Sequence, residues 1–374
     1  MKVLFLGWEF PPHSVGGLGT HSYNIIKSLS KKGVGITVVL PFKDYENIKG
    51  VKFLTFKTTI KSVYDIKNKN KKENKSNLYN DVFKEVEEYK EKVLFLCESL
   101  DFDVIHANDW VTGRAAIALK NKTGKKLIAT IHSTEYDRTA GKPWKEIEKE
   151  EKNLMENADI VVTVSKRLKD EIINLYGINR EKINVIYNAI ERRNLIKRDK
   201  NRKVVLFVGR LSVQKGIDNL IRAFKIVSEK DKDAILYVVG EGPEMKNLIK
   251  LSINLNLADK VIFLGHAPDK EVETLYSIAK VFVMPSISEP FGIVALEAMS
   301  AKVPTIISIQ SGVSEVVNNA LKVDFWDVQQ MADMILGLLN YKGIDTEISK
   351  NAYKELDKIT WDDSAEKFVK LYKR

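Results

Sequence analysis

Short apolar runs alternate with helical patterns along nearly the whole chain. In the first half the runs are KVLFLG (2–7), GITVVLP (35–41), VKFLTFK (51–57), DVIHAND (103–109), KLIATIH (126–132), DIVVTVS (159–165) and INVIYN (183–188). A second series follows: KVVLFVG (203–209), AILYVVG (234–240), VIFLG (261–265), VFVMPS (281–286) and PTIIS (304–308). These runs are rich in Val and Ile and almost unbroken in hydrophobicity, as expected when helices cover both faces of a sheet. The alternation predicts parallel sheets built from βα units. The fold class is therefore α/β, with two Rossmann-like, doubly wound domains. Between the series, ERRNLIKRDKNRK (191–203) is polar and basic and reads as a linker. The expected boundaries are 1–190 for the first domain, 191–202 for the linker and 203–358 for the second. A final helix at 359–374 is marked by the amphipathic segment WDDSAEKFVKLYKR. One segment breaks the rhythm: YDIKNKNKKENKSN (64–77) reads as a surface excursion, either a solvated insertion or a loop facing acceptor or lipid.

A chain of 374 residues suits two α/β cores. With 44% hydrophobic and 29% charged residues, it has the balance of a soluble globular protein. Its one cysteine, Cys97, excludes a disulfide framework and sits in a predicted helix (LFLCESL), where a buried thiol is expected. The apolar run at the N-terminus is too short for a signal peptide or a membrane span, and no longer one follows, so a cytoplasmic location is expected. The net charge of +10 admits nucleic acid, anionic lipid or phosphorylated substrates as partners. Much of it is Lys scattered over predicted helices, with no basic helix carrying interleaved aromatics. Nucleic acid is therefore not expected, while a peripheral membrane contact stays open.

Open α/β sheets bind ligands beyond the carboxyl ends of their strands, so the loops after strands should carry the chemistry. After the first strand comes Trp8-Glu9-Phe10-Pro11-Pro12, then Gly16-Gly17-Leu18-Gly19 and a helix expected to begin near Thr20. Glycines ahead of a helix let backbone N–H groups approach an anion, and a diphosphate is a natural guest. The Gly-x-Gly-x-x-Gly fingerprint and a ribose-binding acid are missing, which counts against an NAD-dependent dehydrogenase. In the second half FVGRLSVQKGID (207–218) follows a strand. From Gly209 onward it puts Arg210 and Lys215 on one loop, either a solvated basic turn or a clamp on a leaving pyrophosphate. In SISEPFGIVALEAM (286–299), Glu289 ends a strand and Pro290-Phe291-Gly292 opens a helix that should carry Glu297 about two turns in. Two carboxylates at that spacing can do acid/base work, ligate a metal or bind hydroxyls. No His or Asp neighbours them to complete a metal site, and accepting hydrogen bonds from sugar and ribose hydroxyls fits a phosphate-binding helix best.

These segments carry a resemblance. The chain resembles the retaining GT-B glycosyltransferases of family 4, whose E-x7-E motif corresponds to Glu289 and Glu297. FVGRLSVQKGID, VVGEGPE (238–244), FLGHAPDKEV (263–272), VSKRLKDEI (164–172) and NVIYNAIE (184–191) stand in the expected order over nearly the full length. The resemblance implies that Glu289 binds the hydroxyls of the donor sugar and Glu297 the ribose. It implies that Arg210 and Lys215 hold the diphosphate, and that the amides of Phe291, Gly292 and Ile293 cap it, with Gly16, Gly17 and Gly209 on the approaching loops. Backbone beside His266 and Ala267 would meet the base. The final helix would return to the first domain, and the site would lie in a cleft between the domains. His132 matches a histidine near the reacting carbon of the donor, although a lone His after a strand is also a common structural hydrogen-bonder. His106 and Asp109 either approach the acceptor or cap the following helix.

Two positions depart from the family pattern. Ser311-Gly312 stands where two glycines are usual, and Asn188-Ala189 replaces Asn-Gly in the turn between domains. The opening WEFPPHSVGGLG is similar to glycogen and starch synthases, whose bacterial members usually carry Tyr at the position of Glu297. The expected substrates are a nucleotide sugar such as UDP- or ADP-glucose and a carbohydrate or other hydroxyl acceptor, with no metal or other cofactor required. Sugar-nucleotide epimerases and phosphorylases share the architecture, and the phosphorylases' pyridoxal-phosphate lysine motif is absent here. A non-catalytic nucleotide-sugar-binding protein is the third reading. It is disfavoured by the intact Arg210, Lys215, Glu289 and Glu297.

Overall fold

The computed structural model describes residues 1–13, 16–57, 75–192, 202–341 and 343–374, with side chains described from residue 81 onward in the segment that starts at 75. The chain divides into two compact units, Met1–Asn188 with Trp361–Arg374, and Ala189–Thr360.

The first unit holds strands β1 (Lys2–Leu6), β2 (Gly35–Leu40), β3 (Val51–Thr55), β4 (Val104–Asn108), β5 (Lys126–Ile131), β6 (Ile160–Thr163) and β7 (Ile183–Val185). Its helices are α1 (Gly17–Lys31), α2 (Lys75–Leu96), α3 (Gly113–Thr123), α4 (Glu135–Arg138), α5 (Lys145–Asn157) and α6 (Lys166–Glu171). The strands form one parallel sheet in the order β3-β2-β1-β4-β5-β6-β7. Every residue of β4 is buried, and β1 and β5 are buried except at their first residue, because helices cover both faces.

The second unit holds β8 (Val204–Val208), β9 (Ile235–Val239), β10 (Val261–Gly265), β11 (Ala279–Met284), β12 (Thr305–Ser308) and β13 (Leu321–Val323). It also holds helices α7 (Ile217–Lys230), α8 (Met245–Asn254), α9 (Asp269–Ile278), α10 (Ile293–Ser300), α11 (Val328–Asn340) and α12 (Ile344–Glu355). Its sheet, again parallel throughout, runs β10-β9-β8-β11-β12-β13. Helix α7 shows why these segments seal the sheet. Ile217, Leu220, Ile221, Phe224 and Val227 recur at helical spacing and are buried against Val205, Phe207, Leu236 and Val238.

In each sheet the strand order reverses once, between β1 and β4 in the first and between β8 and β11 in the second. Such switch points leave a crevice outside the carboxyl ends of the two central strands, where open α/β sheets take ligands.

The final helix, α13 (Trp361–Lys373), belongs to the first unit. Its buried positions Trp361, Ser364, Ala365, Phe368, Leu371 and Tyr372 form one stripe, packed along α1. Phe368 lies 5.1 Å from the ring of His106 and 6.2 Å from that of His21, and Lys32 pairs with Glu366 at 2.8 Å.

Several expectations need revision. Strand β13 has only three residues and was not foreseen. Helix α1 begins at Gly17, three residues before Thr20, so Gly17 and Gly19 lie inside its first turn. Cys97 stands one residue beyond α2, where burial pushes its thiol up to about 11. Of the excursion at 64–77, residues 64–74 lie outside the described residues and 75–77 open α2; of the linker at 191–202, residues 193–201 lie outside them.

Phe368 is wholly buried, whereas Phe95 on α2 is 76% exposed. Phe368→Ala should therefore lower the unfolding free energy by about 3–5 kcal/mol, the cost of an emptied aromatic core site. Phe95→Ala should stay within about 0.5 kcal/mol of the parent, as exposed substitutions do. Urea titrations of the two variants check both values.

Candidate active site

At the switch point of the second sheet, the loops following β8, β11 and β12 are joined by backbone hydrogen bonds. Ile287 N–H donates to Gln214 O (2.9 Å), Glu289 N–H to Gln310 O (3.2 Å) and Gly312 N–H to Glu289 O (2.9 Å). On the other side Leu211 N–H donates to Glu241 O (2.8 Å) and Gly240 N–H to Gly265 O (2.7 Å). Two glycines make this closeness feasible. A Cβ on Gly216 (φ +60) would stand 2.3 Å from Pro285 O, and one on Gly240 (φ +129) would stand 2.0 Å from Gly209 O. No side chain fits at either place.

The loop after β8 runs from Gly209 through half-buried Arg210 to a 3-10 turn, Val213–Lys215, and Gly216 then starts α7. The Lys215 ammonium reaches across to the loop after β11 and donates to Glu289 Oε2 at 2.6 Å. Ser286 Oγ donates to the same oxygen at 3.3 Å. Glu289 is 7% exposed, and its Oε1 has no partner among the described residues. A carboxylate buried this far is retained by its cation, and its second oxygen can accept from a ligand hydroxyl.

Pro290 does not occupy the first helical turn, as its position after Glu289 suggested. Gly292, with φ +106, is the N-cap of α10, and the helix begins at Ile293. The N–H groups of Gly292, Ile293 and Val294 have no acceptor among the described residues. Together with the axial dipole of the helix they form an anion-binding terminus beside Lys215 and Glu289. Phe291 is buried and accepts from Val313 N–H at 2.7 Å, which fixes the turn.

Glu297 lies one helical turn beyond Ile293, not two, and is half-buried. Its Oε2 is 3.3 Å from the Tyr276 hydroxyl, which is equally close to Val294 O. His266 is exposed and Ala267 half-buried on the loop after β10. Ser311 and Gly312, the departure from a glycine pair, complete the join to Glu289, and Ser311 Oγ donates to Ser308 O at 2.6 Å.

The first unit has its own cluster at the carboxyl ends of β4 and β5. Asp109, with φ +56, accepts from His132 N–H through Oδ1 at 2.7 Å. It makes no side-chain cap to the following turn, so the helix-capping role is not the one it performs. The His132 ring stands 3.4 Å from Asn108 Oδ1 and edge-on to His21 at 4.4 Å. Burial holds the pKa of His132 well below the usual histidine range, so the ring is neutral. Gly16 and Gly17 are exposed, and the amides of Gly17, Leu18 and Gly19 have no acceptor among the described residues.

His106 has a different place from either role expected of it. It is wholly buried in β4, with Nδ1 at 2.6 Å from Tyr372 Oη and Nε2 at 2.8 Å from Thr130 Oγ1. Burial lowers its pKa to about 3. With both nitrogens occupied inside the unit, it joins α13 to the sheet and neither meets an acceptor nor caps a helix. Asn108 and His21, by contrast, are part of the His132 cluster and were not anticipated. Asn108 stood beside Asp109 in IHANDW, and that adjacency was the available signal.

Among the described residues no group of three or more His, Cys, Asp or Glu could hold a metal ion, and no helix is long and apolar enough to cross a membrane.

Residues 189–355 match the family described as glycosyl transferases group 1, and residues 15–193 match glycosyltransferase family 4. An uncharacterised glycosyltransferase of Methanocaldococcus jannaschii is 33% identical, over 100% of this chain and 98% of its own length. The glycogen synthase of Mycobacterium tuberculosis is 29% identical, over 85% of this chain and 80% of that protein. Among solved structures, sucrose-phosphate synthase from Thermosynechococcus elongatus superposes with a TM-score of 0.79 at 21% identity, covering 100% of this chain and 98% of that one. Anabaena HepE, solved in complex with UDP and glucose, gives 0.74 at 21% identity, covering 99% of both chains. With its two parallel-sheet α/β domains and this likeness in sequence and fold, the chain is a GT-B glycosyltransferase and belongs to the group 1 and family 4 glycosyltransferases.

Proposed function

We propose that this glycosyltransferase is a retaining enzyme that moves a hexosyl group from a nucleotide sugar to an acceptor hydroxyl. The observation that carries the reading is the Lys215–Glu289 pair beside the open N-terminus of α10. That arrangement offers fixed positive charge to a diphosphate and a carboxylate oxygen to a sugar hydroxyl on adjoining loops. In this reading Arg210 and Lys215 hold the diphosphate, the amides of Phe291, Gly292 and Ile293 cap it, Glu289 takes the sugar and Glu297 the ribose. His266 and Ala267 attend the base. Gly17 and His132 of the first unit are assigned to the sugar side, with His132 neutral and accepting or donating a hydrogen bond rather than carrying charge.

The bond from the sugar C1 to the β-phosphate oxygen breaks, and its electron pair leaves with the diphosphate. The acceptor oxygen bonds to C1 on the face the diphosphate leaves, and its proton passes to the departing phosphate oxygen. The transition state is oxocarbenium-like, and its cost is lowered chiefly by cations already in place. Glucosyl transfer to a glucan is the first acceptor to try, on the likeness to glycogen synthase. An epimerase would act on the nucleotide sugar with no acceptor present, which separates it in the same assay.

Three outcomes are expected. In a thermal-shift series with UDP, ADP, GDP and their hexose conjugates, one base family should raise Tm, since a ligand specific for the folded state stabilises it. Glu297→Ala should abolish that shift, and no shift with any of these compounds from folded protein would sink the donor site. Lys215→Ala should lower kcat about 100-fold or more, the scale of a lost preorganised charge; unchanged turnover in a coupled nucleoside-diphosphate assay would remove that role. Because the two cations and the α10 amides already meet the diphosphate charge, the reading calls for no metal, and turnover after EDTA treatment should equal that before it.

A further inference from the structure

His21, one turn into α1, is 1% exposed. Its Nδ1 lies 2.8 Å from Asn188 Oδ1. A carbonyl oxygen only accepts, so with this amide orientation Nδ1 carries the proton and Nε2 the lone pair. Nε2 has no partner among the described residues, and neither has the buried indole N–H of Trp361. The His21 ring stands edge-on to His132 (4.4 Å between centroids, 70° between planes) and to Trp361 (5.6 Å, 74°). Burying an imidazole with one nitrogen unpaired costs stability that an apolar side chain would not. Packing alone therefore does not account for a histidine here.

Its three neighbours are informative. Asn188 is the residue at which the chain leaves the first unit, and Trp361 is the residue at which it returns. The outgoing and returning segments are hydrogen-bonded together within each unit. Ser364 Oγ, on α13, donates to Tyr187 O at 2.8 Å in the first, and Arg192 Nη2 donates to Tyr353 O, near the end of α12, at 3.2 Å in the second. Ile190 N–H also points to Ile359 O at 3.5 Å. One buried ring thus touches the outgoing segment, the returning segment and His132.

We propose that His21 is a positioning residue: bonded to Asn188 and set against Trp361, it orients the His132 ring and passes on to it any change at the two connecting segments. The catalytic part of this inference rests on the reading that His132 works at the donor sugar. Burial lowers the pKa of His21 to about 4 and that of His132 well below the usual range, so the link acts through ring orientation and tautomer rather than charge.

The test uses the full chain with labelled histidine, of which there are five, observed by 13C and 15N NMR. The variants are His21→Phe, His21→Gln, which lacks a donor at the Nδ1 position, and His21→Asn, whose amide nitrogen keeps one there. In the Phe and Gln variants the His132 ring signals should move toward a mixture of tautomers. Their kcat should fall about 10–100-fold, the effect of a misplaced group near the chemistry. Donor KM and the affinity for UDP, ADP or GDP should stay within about twofold, because binding on the second unit is untouched. His21→Asn should restore both the His132 signals and kcat. A double variant, His21→Phe with His132→Ala, should be no slower than His132→Ala alone, since one residue acts through the other.

Unmoved His132 signals in folded His21→Phe or His21→Gln, or losses that multiply in the double variant, would overturn the proposal. Full turnover in His132→Ala, together with His132 ring signals that still move in the single His21 variants, would uphold the link and overturn instead the role assigned to His132. Should His21→Phe not fold, the His21→Gln and His21→Asn pair carries the same comparison.

Discussion

The geometry at the switch point of the second sheet depends on backbone approaching backbone at the carboxyl edge of that sheet. Where Gly216 meets Pro285 and Gly240 meets Gly209, main-chain atoms occupy the space that any Cβ would need. That closeness draws the loops after β8 and β11 together until a lysine on one reaches a glutamate on the other. The amides at the start of α10 are left without acceptors among the described residues. The ion pair is thus a consequence of the loop framework. Its value lies in holding a cation and an acceptor at fixed places, because a buried ion pair by itself adds little stability.

The first unit handles its polar groups differently. Besides its ion pairs it gathers three histidines, His21 and His106 buried and His132 half-buried, all kept neutral by desolvation. His106 spends both nitrogens on Thr130 and Tyr372 and holds α13 to the sheet. His132 is held through its backbone by Asp109, leaving its ring directed by Asn108 and His21. Residues of one type, separated by a few ångströms, are therefore divided between fastening the core and serving the cluster at the strand ends.

Much of this was legible in the sequence, for physical reasons. The central strands are covered on both faces, so they had to be continuous apolar runs; together with the edge runs, twelve became strands. Among the described strands only β13, the short segment Leu321–Val323 with a lysine at its centre, was not foreseen. Helix starts were less legible where glycine stands. Gly17 and Gly19 look like loop residues yet lie in the first turn of α1, and Pro290 looks like a helix start yet precedes one. The loop cations and the carboxylates of Glu289 and Glu297 were visible from spacing, whereas their contact partners were not. His106 was misread because the group that claims it, Tyr372, lies 266 residues away in the chain. The same holds for His21 and Asn188, separated by 167 positions.

The return of α13 to the first unit also bears on how the protein is made. The ribosome must complete the whole second unit before the helix that closes the first unit emerges. At about 5–20 residues per second, this leaves roughly 10–30 s in which His106 has no Tyr372 and the groove along α1 has no Phe368. During that interval the nascent first unit exposes an apolar channel while the second unit is free to fold by itself. The order of completion is thus the reverse of the order of synthesis.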